Sequence, residues 1–184
     1  AMNKLMAKRV LLPSTISWAR DWTWKEGQSI PDVSLPCIVK PLVGGSSIGI
    51  TVVRNRSDLD GALQAALEQH HTVLIEELIE GREVTVPVLD GEALPVVRIV
   101  ASSGLFNFEA KYDEGTGTVY EVPAKLSPKV SRSIQEAGEL AHRMIGCRGL
   151  TRSDFILTAD CIPVFLELNT IPGMTETSLS PMSA

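Results

Sequence analysis

The chain has 184 residues, 44% of them apolar and 21% charged, with a formal net charge of −5. That length suffices for one or two small domains with a hydrophobic core, and the balance is that of an ordinary globular protein rather than a disordered one. The acidic surplus argues against a general nucleic-acid or acidic-membrane binder, while leaving room for a local basic pocket that takes a phosphorylated ligand. Cys37, Cys147 and Cys161 show no CxxC spacing, so neither a disulfide framework nor a zinc site is indicated, and a reducing, cytoplasmic setting fits. No apolar run approaches the roughly 20 residues that span a bilayer, and there is no signal-peptide pattern. Ala1-Met2 reads as a cut end or an expression remnant.

Residues 3–12, NKLMAKRVLL, repeat apolar side chains at helical intervals and predict a short amphipathic helix ended by Pro13. Lys4 at its start reads as a surface lysine. From Trp18 to Pro36 no clean period is present, which predicts irregular structure with one short helix, its tryptophans used for packing. Pro36–Val39 predicts a buried strand running into Lys40, either a phosphate ligand or a lysine snorkelling at an edge. Residues 44–49, GGSSIG, lack both the Walker ending and the GxGxxG pattern. Such a loop either turns a hairpin or lets N–H groups approach phosphates where no Cβ intervenes.

Ser57-Asp-Leu-Asp60 opens a helix with Leu59, Leu63, Ala66 and Leu67 on its buried face. Thr72–Ile75 predicts a strand ending in Glu76 and Glu77, followed by Leu78 and Ile79, and Val84–Leu89 another. Asp90-Gly91 is a strong hairpin signal, with Leu94–Val100 returning as a strand. Residues 106–120, rich in glycine and acid, predict a mobile loop with Lys111 and Tyr112 at its base. Ser127-Pro128 starts a helix capped by Gly146.

The chemistry concentrates in residues 151–175, TRSDFILTADCIPVFLELNTIPGMT. Arg152 and Asp154 lie two apart on one apolar run, and Glu167 and Asn169 two apart on the next, so each pair shares a strand face. A hairpin with an even-numbered loop would set Arg152 opposite Glu167 and bring all four to one face. Two carboxylates and an amide oxygen are hard donors suited to Mg²⁺; without thiolates or imidazoles nearby, zinc does not fit. A solvated face with ordinary cross-strand pairs is the plain alternative. The Pro-Gly turn that follows tilts the balance, because it can aim backbone N–H groups at an oxyanion.

Taken in order, NKLMAKR, IVKP, GGSSIGI, VLIEELIEGREVTV, FEAKY, YEVPAKL, RSDF and LELNTIPGMTETSLSPM resemble the D-alanine–D-alanine ligases of the ATP-grasp superfamily. The resemblance implies an α+β fold of two mainly antiparallel subdomains, 1–80 and 81–184, with ATP between them. It implies phosphate contacts from Lys4, Lys40, Ser46 and Ser47, with Ser46 also at the reaction centre. Glu76, Glu77, Leu78 and Ile79 would line adenine, Glu83 would meet the ribose, and Lys111 and Tyr112 would belong to the closing loop 111–120. Asp154, Glu167 and Asn169 would hold two Mg²⁺ or Mn²⁺ ions, Arg152 and Gly173 would stabilise an oxyanion, and Ser178 would receive the second substrate's carboxylate.

The implied activity is ADP-forming ligation of two D-alanines through an acyl phosphate, in the cytoplasm, for peptidoglycan synthesis and hence cell-wall biogenesis and cell shape. The resemblance also implies a preceding domain of about 100 residues and a C-terminal helix beyond this chain, with a homodimer in the complete enzyme. Two other readings stand beside it. One is a related ATP-grasp carboxylate–amine ligase or one using D-lactate, which Tyr112 disfavours. The other is a non-catalytic nucleotide-binding fragment.

Overall fold

Valine at every second position of 84–88 and a helical stripe of Val130, Ile134, Ala137, Leu140, Ala141 and Met144 leave each element one apolar face to bury. The computed structural model describes residues 3–44, 48–100, 118–176 and 178–184. Its chain divides into two compact units, one comprising Met6–Trp18 and Glu80–Ala184, the other Ala19–Ile79 together with Asn3, Lys4 and Leu5. The units are therefore not consecutive: residues 6–18 pack with the second half of the chain. The helix α1 (Lys4–Leu11) contributes to both units.

In the larger unit, seven strands form one sheet among the described residues: β1 (Ser17–Trp18), β6 (Arg82–Leu89), β7 (Glu92–Ala93), β8 (Val97–Val100), β9 (Val119–Glu121), β10 (Leu150–Leu157) and β11 (Pro163–Asn169). The order is β1-β11-β10-β6-β8-β9, with β7 also on β6 and only the β1–β11 pair parallel. The predicted Leu94–Val100 strand is broken by Leu94–Val96, between β7 and β8. Pro87 sits opposite this break. Its carbonyl accepts from Leu94 N–H at 2.9 Å, so the N–H it lacks would point where no ladder partner is needed. Asp90 and Gly91 have φ of 49° and 93°, the left-handed pair that a two-residue hairpin requires.

The helix α3 (Pro128–Ile145) covers one face of this sheet. Ser127 caps it by accepting from Val130 N–H at 3.4 Å, Pro128 occupies its first turn, and Gly146 closes it with φ of 76°. Its Gly138 lies so close to β6 that a Cβ there would stand 2.6 Å from Val86 Cγ1. The core beneath contains Val84, Val86, Ile134, Phe155, Leu157, Phe165 and Leu168, with the Phe155 and Phe165 rings edge-on at 5.3 Å. Burying each such side chain contributes about 1.5–3 kcal/mol.

The smaller unit holds a four-stranded antiparallel sheet, β2-β5-β3-β4, of β2 (Asp21–Trp24), β5 (Val73–Glu77), β3 (Cys37–Pro41) and β4 (Thr51–Val53). The helix α2 (Leu59–Leu67) packs Leu59, Leu63 and Ala66 against Val39, Val53, Val73 and Ile75. A 3₁₀ turn over Arg56–Asp58 precedes it, and no side-chain cap bond forms at Asp58. The helix expected within 18–36 is absent from that stretch, where β1 ends and β2 forms. Trp22 and Trp24 alternate with polar residues and pair with Ile75 and Val73, so a period of two was the signal that mattered.

Candidate functional site

The hairpin β10–β11 differs from expectation in register and reaches the same face by another route. Its loop is odd, five residues from Thr158 to Ile162, since Leu157 pairs with Pro163. A bulge then shifts the register between Asp154 and Phe155, so that Phe155 faces Phe165 but Asp154 faces Glu167. The extra residue is Leu166. Arg152 therefore stands opposite Asn169, not Glu167. Odd loop plus one bulged residue restores parity, and Arg152, Asp154, Glu167 and Asn169 share the face turned away from the Phe155–Phe165 core.

Asp154 is the hub of this face. Arg152 donates to it from Nε and Nη2, both at 2.9 Å, in a two-pronged fork onto Oδ1 and Oδ2. Asn169 Nδ2 donates to Oδ2 at 3.0 Å, and Thr85 Oγ1 donates to Oδ1 at 2.6 Å. Charge-assisted bonds of this kind are the strong ones. The Glu167 side chain, directly across from Asp154, makes no hydrogen bond or ion pair among the described residues. Two carboxylates facing each other across strands repel, and a cation held by both would relieve that. Among the described residues no three His, Cys, Asp or Glu side chains cluster for a metal; the set is two carboxylates and a carboxamide, all hard donors once the amide turns its oxygen inward.

Glu83 lies on the same face of β6, two residues before Thr85. Burial pushes the Tyr120 phenol above its ordinary range, Arg152 draws it back in part, and Glu83 adds to the rise. Leu179 and Met182 of α4 (Leu179–Ser183) pack with Val97, Ile99 and Tyr120. Thr85 was missed in the sequence, although its alternation with Glu83 on a strand next to the metal-type pair was the available signal.

In the smaller unit, Lys40 of β3 and Glu76 of β5 form an ion pair whose side chains are 8% and 10% exposed. Glu76 faces Ile38 while Lys40 faces Leu74, so they meet diagonally on the side away from α2. Asp21 stands in register with Glu76 on its other side. Lys4 Nζ donates to the Gly44 carbonyl at 2.9 Å, tying the lysine to the start of the glycine-serine loop. Glu77 is exposed. The N–H groups of Glu77 and Leu78 donate to Arg20 and Pro36 carbonyls at 2.9 and 3.2 Å, whereas no backbone acceptor takes the Ile79 N–H among the described residues.

Gly173 and Ser178 are brought together by the loop after β11. A Cβ on Gly173 would stand 2.7 Å from Ser178 Oγ, so glycine is what permits the approach. Ser178 Oγ also accepts from Thr175 N–H at 3.1 Å and shares a 2.8 Å bond with Thr175 Oγ1. Ser46, Ser47, Lys111 and Tyr112 lie outside the described residues.

The family described as D-ala D-ala ligase C-terminus matches residues 14–184. The D-alanine–D-alanine ligase of Anaeromyxobacter sp. (strain K) is 46% identical over 150 residues, which are 82% of this chain and 48% of that protein. That of Methylacidiphilum infernorum is 40% identical over 184 residues, 100% of this chain and 60% of its own length. Among solved structures, the D-alanine–D-alanine ligase of Bacillus anthracis aligns with a TM-score of 0.86 at 30% identity, over 99% of this chain and 60% of that one. The VanG D-Ala:D-Ser ligase of Enterococcus faecalis gives 0.84 at 31%, over 99% and 56%. The chain thus spans about half to three-fifths of the length of these relatives. With the α+β ATP-grasp fold of those ligases and a match from residue 14 to its end, it belongs to the D-ala D-ala ligase C-terminus family.

Proposed function

We propose that this chain supplies the ATP-binding and catalytic portion of an ADP-forming D-alanine–D-alanine ligase, working in the cytoplasm to make the dipeptide for peptidoglycan. The observation that carries this reading is the Asp154 cluster with Glu167 directly opposite it. In the first step a carboxylate oxygen of one D-alanine bonds to the γ-phosphorus of ATP and ADP leaves, giving an acyl phosphate. The amine of a second D-alanine then attacks the acyl carbon, the C–N bond forms, phosphate departs and the amine loses a proton. Catalysis of phosphoryl transfer is chiefly positioning and charge neutralisation.

Asp154, Glu167 and Asn169 would hold Mg²⁺ or Mn²⁺, in two ions, which when bound supplies neutralisation of the phosphate charge. The Asp154 fork uses two of the five Arg152 N–H donors and so aims the guanidinium, whose role is to meet the oxyanion of the second step. The Gly173 backbone serves the same oxyanion, and such a donor is typically worth about 3–4 kcal/mol. Ser178, held against Gly173, is suited to the incoming substrate's carboxylate.

Lys40 and Lys4 are suited to phosphates, with Ser46 and Ser47 following Lys40 in sequence. Glu76 to Ile79 would line adenine, the Ile79 N–H being a donor that no backbone carbonyl claims, and Glu83 would take ribose hydroxyls. Lys111 and Tyr112 would belong to a loop that excludes water. One of the similar solved ligases from Bacillus anthracis was crystallised with ATP, which supports the nucleotide assignment. Homodimerisation is proposed for the complete enzyme only. No described helix is long and apolar enough to cross a membrane.

The test is phosphate release from Mg-ATP by the chain with and without D-alanine, with products identified by mass. D-Alanine-dependent release accompanied by the dipeptide supports the ligase. Formation of a product only with D-serine or D-lactate as second substrate shifts the reading to a related ligase, and ATP binding without D-alanine-dependent release supports the non-catalytic one.

A further inference from the structure

We propose that Thr85 is a positioning residue that fixes Asp154 for metal binding, an inference that rests on the reading of Asp154 as a metal ligand. Thr85 is fully buried in β6, 0% exposed, and stands directly across from Asp154. Its hydroxyl has two oxygen neighbours, Asp154 Oδ1 at 2.6 Å and the Ser153 carbonyl at 3.1 Å. Neither can donate while the carboxylate is ionised, so the one hydroxyl proton goes to them, and the shorter bond to the charged oxygen takes most of it. A β-branched side chain in a strand has few χ1 choices, which makes this donor rigid.

The other donors to Asp154 differ in kind. Arg152, on Oδ1 and Oδ2, and Asn169, on Oδ2, are only part-buried in these contacts; Arg152 also has an oxyanion to meet, and Asn169 would turn its amide to offer its oxygen to the metal. Thr85 shares Oδ1 with Arg152 Nε, and its other oxygen neighbour is the backbone carbonyl of Ser153. It therefore keeps its hold on Oδ1 when Asn169 leaves Oδ2. Partners of this kind behind a ligand typically change metal affinity 10–100-fold when removed.

The experiment measures ATP affinity of the chain by calorimetry, in Mg²⁺ and in chelator, for the wild type, Thr85→Val and Thr85→Ser. The expected result is that Thr85→Val leaves chelator-phase ATP binding unchanged and cuts the Mg²⁺-dependent gain about tenfold, while Thr85→Ser restores it. A Mg²⁺ gain equal in Thr85→Val and wild type overturns the role of Thr85 and leaves the metal reading intact. No Mg²⁺ gain in the wild type overturns the metal reading itself, and this inference with it. If Thr85→Val does not fold, Thr85→Ala decides in the same way. If neither hydroxyl-free variant folds while Thr85→Ser does, the hydroxyl is structural and the proposal fails.

Discussion

The two units bury charge in contrasting ways. In the smaller unit Lys40 and Glu76 meet as a diagonal cross-strand pair, each about a tenth exposed or less. In the larger unit Asp154 gathers a guanidinium, an amide and a hydroxyl, and a second carboxylate, Glu167, waits opposite. A buried pair leaves a bare charge when one member is removed. A network with a spare acceptor can re-form, which is what a site that exchanges partners during a reaction needs.

The contrast breaks most sharply at Lys40. Lys40→Met is expected to cost about 3–5 kcal/mol in urea unfolding, while Lys40→Met combined with Glu76→Leu recovers most of it; equal losses in the single and double variants would remove the pair from the account. Asp154→Ala is expected to cost less, about 1–3 kcal/mol, because Arg152 can turn to Glu167. Adding Glu167→Ala should then cost more than Glu167→Ala does alone, and strict additivity would show that Glu167 does not substitute.

Gly138→Ala probes packing apart from charge. Its Cβ would stand 2.6 Å from Val86 Cγ1, so a loss of about 1–3 kcal/mol is expected, and an unchanged unfolding midpoint would mean that α3 shifts freely. Arg132 bridges Glu136 at 2.9 Å with both side chains more than half exposed, so Arg132→Ala should stay within about 1 kcal/mol of wild type.

A small alkaline effect completes the series. Burial raises the Cys37 thiol and the Tyr120 phenol above their ordinary values, so the folded chain keeps protons that the unfolded chain releases. Stability from these groups is full below the unfolded pKa values and lost as pH rises through the folded ones. The Tm should fall from about pH 8.5 upward, and less so in Cys37→Ala.

The sequence made the elements with strong local chemistry legible. Ser127-Pro128 and Gly146 bounded a helix, Asp90-Gly91 made a turn, and spacing of two put each polar pair on one face. What it could not show was pairing parity, because an odd loop and a bulge at Leu166 cancel: the residues of Thr158–Ile162 mark a turn but not its length, and no glycine marks the bulge. The Trp22 and Trp24 alternation was present but short. The Lys40–Glu76 pair and the Thr85–Asp154 bond depend on which strands become neighbours across 36 and 69 residues, which local propensity does not encode.

The most direct test of the central claim, that the face of Asp154 and Glu167 is a metal-nucleotide site, is ATP affinity with and without Mg²⁺ in the wild type and in Glu167→Gln. Mg²⁺ is expected to tighten ATP binding in the wild type, and Glu167→Gln to abolish the gain while unfolding at the same urea concentration. An equal Mg²⁺ gain in both proteins would contradict it.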